Sequence, residues 1–154
     1  MLDALDRALL TELQADNQQT HAQLGAKVGL SASSVRRRVT ALRERGVIEA
    51  EVAILAPETV GVQAIVLVTF GEESIEGENA FRERMRTAPE VQQCYAVAGQ
   101  VDYVLVVHAA DLPSYEAWGK RVLLAEPTIR RYDTHLVWSR IKFSTAIPLT
   151  EGGA

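Results

Sequence analysis

Apolar positions recur at helical spacing three times in the first fifty residues, then give way to strand-like runs. Leu5, Leu9, Leu10 and Leu13 make one face of a helix that Asp3 can cap and that ends near Asp16-Asn17. Thr20-His21-Ala22-Gln23 has the T-x-x-Q spacing of a capping box, which starts a second, short helix. Gly29 breaks that helix by supplying the positive φ of a tight turn. Leu30 then drops into the core, and Ser31 caps a third helix from about Ala32 to Arg45. Val35, Val39 and Leu42 form its buried stripe, and Gly46 closes it at C′. Gly25 lies inside the second helix, where glycine costs roughly 1 kcal/mol against alanine. A close crossing of the third helix is the expected compensation.

After Gly46 the stretch from Val47 to Leu55 is rich in β-formers and reads as an extended linker strand, punctuated by Pro57 and Gly61. From Val62 a unit of strand and helix repeats. Strands are expected over residues 62–70, 91–98, 101–109 and 128–138, with helices over 78–88 and after the cap Asp111. Phe81, Met85 and Ala88 point inward from the first of these helices, and Tyr115, Trp118, Gly119 and Val122 from the second. The order βαββαβ is the ferredoxin-like arrangement, one antiparallel sheet with two helices on one face. The predicted class is α+β, with a helix-turn-helix domain over 1–50, a linker strand over 51–61 and the ferredoxin-like domain over 62–154. Gly99-Gln100 is expected to join the middle strands as a two-residue type II′ turn. Both faces of Val62 to Phe70 are largely apolar, although helices cover one alone, so a second subunit is expected on the other.

The third helix carries the most pointed chemistry. Arg36, Arg37, Arg38, Arg43 and Arg45 fall within it, against Glu44 as its one acid. On a helical wheel Ser33, Arg37, Thr40 and Glu44 lie opposite the buried stripe, flanked by Arg36 and Arg43 on one side and Arg38 and Arg45 on the other. Ser33, Ser34, Arg36, Arg37, Arg38, Thr40 and Arg43 are therefore the candidate contacts to double-stranded DNA, with Arg37 toward base edges and the flanking arginines toward phosphates. A solvated basic surface helix is the plainer account, but the caps, turn glycine and buried stripe agree on the motif.

Charge sharpens this picture. The chain carries 16 Lys/Arg and 20 Asp/Glu, a net charge of −4, yet residues 1–50 hold seven basic and six acidic side chains and the remainder nine and fourteen. Positive field is thus focused on one helix. At 154 residues and 47% hydrophobic the chain can bury a core. No apolar run is long enough to span a bilayer and no signal-peptide layout opens the chain, so a cytoplasmic location without membrane partners is expected. Cys94 is the single cysteine and reads as structural. His21, His108 and His135 fall in different elements without metal-ligand spacing, and no G-x-S-x-G elbow or phosphate loop is present. No catalytic residue, metal or cofactor is expected. The run Glu72, Glu73, Glu76, Glu78 reads as a solvated loop and helix start.

Leu2-Asp3-x-x-Asp6 with Leu9-Leu10, Leu24…Val28-Gly29-Leu30-Ser31, Arg38-Val39-x-x-Leu42…Gly46-Val47-Ile48, Gly99-x-x-Asp102-Tyr103 and Ile147-Pro148-Leu149 together resemble the Lrp/AsnC (feast/famine) transcription regulators. The resemblance spans nearly the whole chain. It implies a DNA-binding helix-turn-helix, a hinge strand and a C-terminal domain that forms homodimers and often stacks them into octamers around a small-molecule effector, commonly an amino acid. Two positions depart from the family pattern: Gln18-Gln19 stand where an arginine is frequent, and Gly25 replaces the usual alanine. The resemblance also places the effector at the loop of Gly99, Gln100, Asp102 and Tyr103. A purely structural account of these residues exists beside it, with Gly99 serving the turn, Asp102 capping the loop and Tyr103 in the core. The expected function is a sequence-specific DNA-binding transcription regulator whose assembly responds to the effector. A second class is a ligand-binding or assembly protein whose helix-turn-helix contacts protein rather than DNA.

Overall fold

The computed structural model describes residues 2–71 and 74–149. They divide into two compact units, residues 2–54 with 142–149, and residues 55–141.

In the first unit α1 (Ala4–Ala15), α2 (His21–Val28) and α3 (Ala32–Glu44) start at caps written in the sequence. Asp3 and Asp6 form a reciprocal capping box on α1, Thr20 and Gln23 do the same on α2, and the Ser31 side chain accepts from Ser34 N–H on α3. Gly29 ends α2 in the left-handed region at φ 71°. Leu9, Leu24, Val35 and Val39 form the core, with Leu13, Val28, Leu30 and Ile48 packed against it. The space that Gly25 leaves is filled by the inter-helix turn rather than by the body of α3. A Cβ there would lie 2.3 Å from the Leu30 carbonyl oxygen. Gln19, in the segment where the family often has arginine, donates its amide to the carbonyls of Glu12 and Asp16 at the end of α1. The chain's last described residues join this unit: the Gln14 side chain accepts from Ile147 N–H at 2.6 Å and donates to Ile147 C=O at 3.1 Å.

The linker strand expected over Val47 to Leu55 does not form. The segment has no ladder partner among the described residues and leaves Val52 and Leu55 exposed, before a 3-10 turn at Pro57–Thr59. Residue pattern alone cannot make a strand without a neighbour to pair with.

The second unit comprises β1 (Val62–Phe70), α4 (Ile75–Thr87), β2 (Val91–Ala96), β3 (Tyr103–Ala109), α5 (Leu112–Gly119) and β4 (Ile129–Leu136). The sheet order is β2-β3-β1-β4 with every neighbouring pair antiparallel, which is the ferredoxin-like topology. Ala64, Val66 and Val68 of β1 and Tyr103, Leu105 and Val107 of β3 face the helices and pack on Phe81, Met85, Trp118, Val122 and Leu123. A π-helical turn, Lys120–Leu124, continues α5 and lets Trp118, Val122 and Leu123 share that face. Among the described residues no element of this unit covers the opposite face, where Ile65 and Leu67 alternate with the buried residues and pair with Val106 and Val104.

Several element boundaries shift. α4 starts at Ile75 because Ser74 caps it through Gly77 N–H, and Ala88 is its C-cap rather than a core residue. β4 stops at Leu136, leaving Trp138 96% exposed. The β2–β3 hairpin is longer than two residues. Val97 N–H donates to Asp102 C=O, residues 98–101 form the loop, and Gly99 has φ 153°, far from the roughly +60° of a type II′ turn.

Candidate functional site

α3 presents a polar face anchored from behind. Val35, Val39 and Leu42 are buried, whereas Ser33, Arg36, Arg37, Thr40 and Arg43 are exposed and Ser34 is half-buried. The hydroxyls of Ser33 and Ser34 lie 3.1 and 2.9 Å from Ser31 Oγ, so they surround the N-cap. The arginines differ in what holds them. Arg38 Nη1 donates to Asp3 Oδ2 and to Asp6 Oδ1, both at 2.7 Å, which ties α3 to the capping box of α1. Hydrogen bonds to Asp3 and Asp6, in that order, raise the Arg38 guanidinium above its ordinary range. Arg43 pairs with Glu51. Arg36 and Arg37 make no ion pair among the described residues.

A second feature, a cleft, lies at the loop end of the β-sheet. Phe70, Ser74, Ile75, Glu78, Ala96, Val97, Asp102 and Tyr103 line a cleft of about 480 Å³, within the range of small-molecule sites. Of the four loop residues singled out from the sequence, Asp102 and Tyr103 line it and Gly99 and Gln100 do not. Asp102 knots the loop. Its Oδ2 accepts from Phe70 N–H at 2.7 Å, its N–H donates to Val68 C=O, and its C=O accepts from Val97 N–H.

Tyr103 is a core ring, 3% exposed, in a three-ring cluster with Phe70 and Phe81 at centroid distances of 5.4 and 4.9 Å. Its hydroxyl reaches out of the core. It donates to Glu78 Oε1 at 2.7 Å and accepts from Arg82 Nε at 2.8 Å, while Arg82 Nη2 also donates to Glu78 Oε1 at 2.7 Å. Burial, then the Glu78 hydrogen bond, push the Tyr103 hydroxyl above its usual range, so it stays protonated and able to donate.

Comparison with known proteins bears on both features. Residues 2–43 match the AsnC-type helix-turn-helix domain, and residues 63–147 match the Lrp/AsnC ligand binding domain. The chain belongs to the Lrp/AsnC family. An uncharacterised HTH-type transcriptional regulator of Sinorhizobium fredii is 37% identical over 96% of this chain and 89% of its own. Among solved structures, an AsnC family regulator from Agrobacterium tumefaciens is 36% identical with a TM-score of 0.86, covering 96% of this chain and 97% of that one. A Neisseria meningitidis transcriptional regulator solved with L-Met has 29% identity and a TM-score of 0.87 at the same coverage.

As an Lrp/AsnC protein the chain is a DNA-binding transcription regulator with a ligand-binding domain. The Lrp/AsnC resemblance led to Asp102 and Tyr103 but passed over Glu78 and Arg82. Their signal was present as an i, i+4 acid-base pair on α4, hidden within an acidic run read as a solvated helix start. Glu72 and Glu73 of that run lie outside the described residues. The partners of Arg38 had no local signal, because Asp3 and Asp6 stand 35 and 32 positions away.

Proposed function

We propose that this regulator acts in the cytoplasm as a homo-oligomer, reading operator DNA with paired copies of α3 and responding to an amino acid bound at the Glu78–Asp102–Tyr103 cleft. On this reading residues 1–50 read DNA, 51–61 link, and 62–154 bind effector and assemble; the protein is a regulator and not an enzyme. The observation that carries the reading is the exposed Arg36 and Arg37, without an ion pair among the described residues, on a helix whose opposite face is locked by Val35, Val39 and the Arg38 clamp. Arg37 and Thr40 then reach base edges, with Ser33 and Ser34 at the helix N-terminus, and Arg36 and Arg43 reach phosphates. Arg38, one of the arginines expected at phosphates, instead sets the angle of α3 through Asp3 and Asp6. In the effector domain, Gly99 and Gln100 shape the loop that Asp102 ties down. The complex of the Neisseria relative with L-Met supports an amino-acid effector.

The uncovered sheet face supports dimerisation, since Ile65, Leu67, Val104 and Val106 form a continuous apolar strip across its two central strands. The reading is tested by fluorescence anisotropy on a duplex selected from random DNA by the intact protein. Tight, salt-sensitive binding that changes with at least one of the twenty amino acids is expected. Binding that no amino acid alters removes the effector half of the proposal, and absence of DNA binding removes the whole.

A further inference from the structure

We infer that Glu78 sets the chemical class of the effector and selects a ligand bearing a cationic side chain, such as a basic amino acid. The inference rests on the effector reading of this cleft and goes beyond it by naming what the cleft prefers.

Two carboxylates line the cleft, and each is half engaged. Oε1 of Glu78 receives the Tyr103 hydroxyl and the Arg82 guanidinium, and Oδ2 of Asp102 receives Phe70 N–H. Oε2 of Glu78 and Oδ1 of Asp102 make no hydrogen bond among the described residues. Each carboxylate is therefore fixed by one oxygen and offers the other. Among the described residues no lysine or arginine lines this cleft; Arg82 lines the neighbouring one and reaches this cleft only through its bond to Glu78 Oε1. The remaining wall is aliphatic and aromatic, with Ile75, Val97 and Phe70. That sequence of surfaces, an apolar wall leading to held anionic acceptors, matches an alkyl stem ending in an ammonium or guanidinium.

Holding matters as much as charge. A surface glutamate would spend rotamer entropy to meet a ligand, whereas Glu78 is already oriented by a hydroxyl whose ring is locked in the core. Arg82 orients Glu78 too, but it also offsets part of its charge. Removing the Arg82 charge while retaining a hydrogen-bond donor should therefore strengthen binding of a cation. A purely structural role for the network predicts the reverse.

The test is calorimetry on the intact protein with L-lysine, L-arginine, L-ornithine, L-leucine, L-methionine and L-glutamate as probes. The basic amino acids are expected to bind most tightly. Glu78→Gln should weaken L-lysine roughly tenfold or more while leaving L-leucine little changed, and Arg82→Gln should tighten L-lysine severalfold. Thermal melts confirm that both variants are folded. If a neutral or acidic amino acid binds best, or if Arg82→Gln weakens L-lysine, the inference fails and the effector reading stands. If none of the probes binds, the inference fails, and the effector reading falls with it only if the other amino acids also leave DNA binding unaltered.

Discussion

Nη1 of Arg38 sits 2.7 Å from Oδ1 of Asp6, joining the middle of α3 to the first turn of α1. Asp6 is 7% exposed, so removing its partner strands a carboxylate away from water. Arg38→Ala is expected to lower the thermal midpoint of the intact protein, while Arg36→Ala and Arg37→Ala leave it unchanged. Differential scanning calorimetry on the three variants checks the order.

The same clamp carries a pH signature. A hydrogen bond from Asp6 N–H, then one from Arg38, hold the Asp3 carboxyl below the usual carboxylate range. A carboxyl depressed in the folded state stabilises fully above its unfolded value, about 4, and that contribution is lost as pH falls through the lower folded value. Stability should therefore fall more steeply with acidification below about pH 4 in the parent than in Asp3→Asn. Circular-dichroism melts across pH 3 to 6 measure the difference.

Gly25 is required by contact rather than by φ. Alanine would gain about 1 kcal/mol of helix propensity, but its Cβ would lie 2.3 Å from the Leu30 carbonyl oxygen, a backbone atom that cannot swing away. Gly25→Ala is expected to destabilise the protein by a net of about 1–3 kcal/mol, read by chemical denaturation.

Leu67 stands at the centre of the uncovered sheet face, opposite Val104 on one side and Asp133 on the other. Leu67→Lys places a charge in the proposed interface without touching the core on the helical face. Sedimentation velocity should show the parent as a dimer or larger and this variant as a folded monomer. A parent that is monomeric at micromolar concentration contradicts the assignment of this face.

What was legible beforehand follows the range of the interactions involved. Caps act over three residues, so Asp3, Thr20 and Ser31 announced three helices, and the largely apolar run from Val62 to Phe70 announced β1. Pairing acts over long separations, and there local pattern fell short. Val47 to Leu55 has β-forming residues and no strand to join, and the β2–β3 loop is set by Asp102 reaching Phe70, 32 positions away. At the cleft beside α4, the family loop points to Tyr103. Its link to Glu78 required knowing that α4 packs Phe81 and Glu78 against Tyr103, a fact of tertiary structure.

That α3 reads base sequence through Arg37 is the proposal on which operator recognition rests. It is tested most directly by fluorescence anisotropy of the parent and Arg37→Ala against a selected operator and a scrambled duplex over a salt series. Arg37→Ala is expected to lose about 1–3 kcal/mol on the operator and almost nothing on the scrambled duplex. Arg36→Ala, run in parallel, should weaken both duplexes alike and reduce the salt slope by about 1. Equal affinity of Arg37→Ala and the parent for the operator would contradict the account.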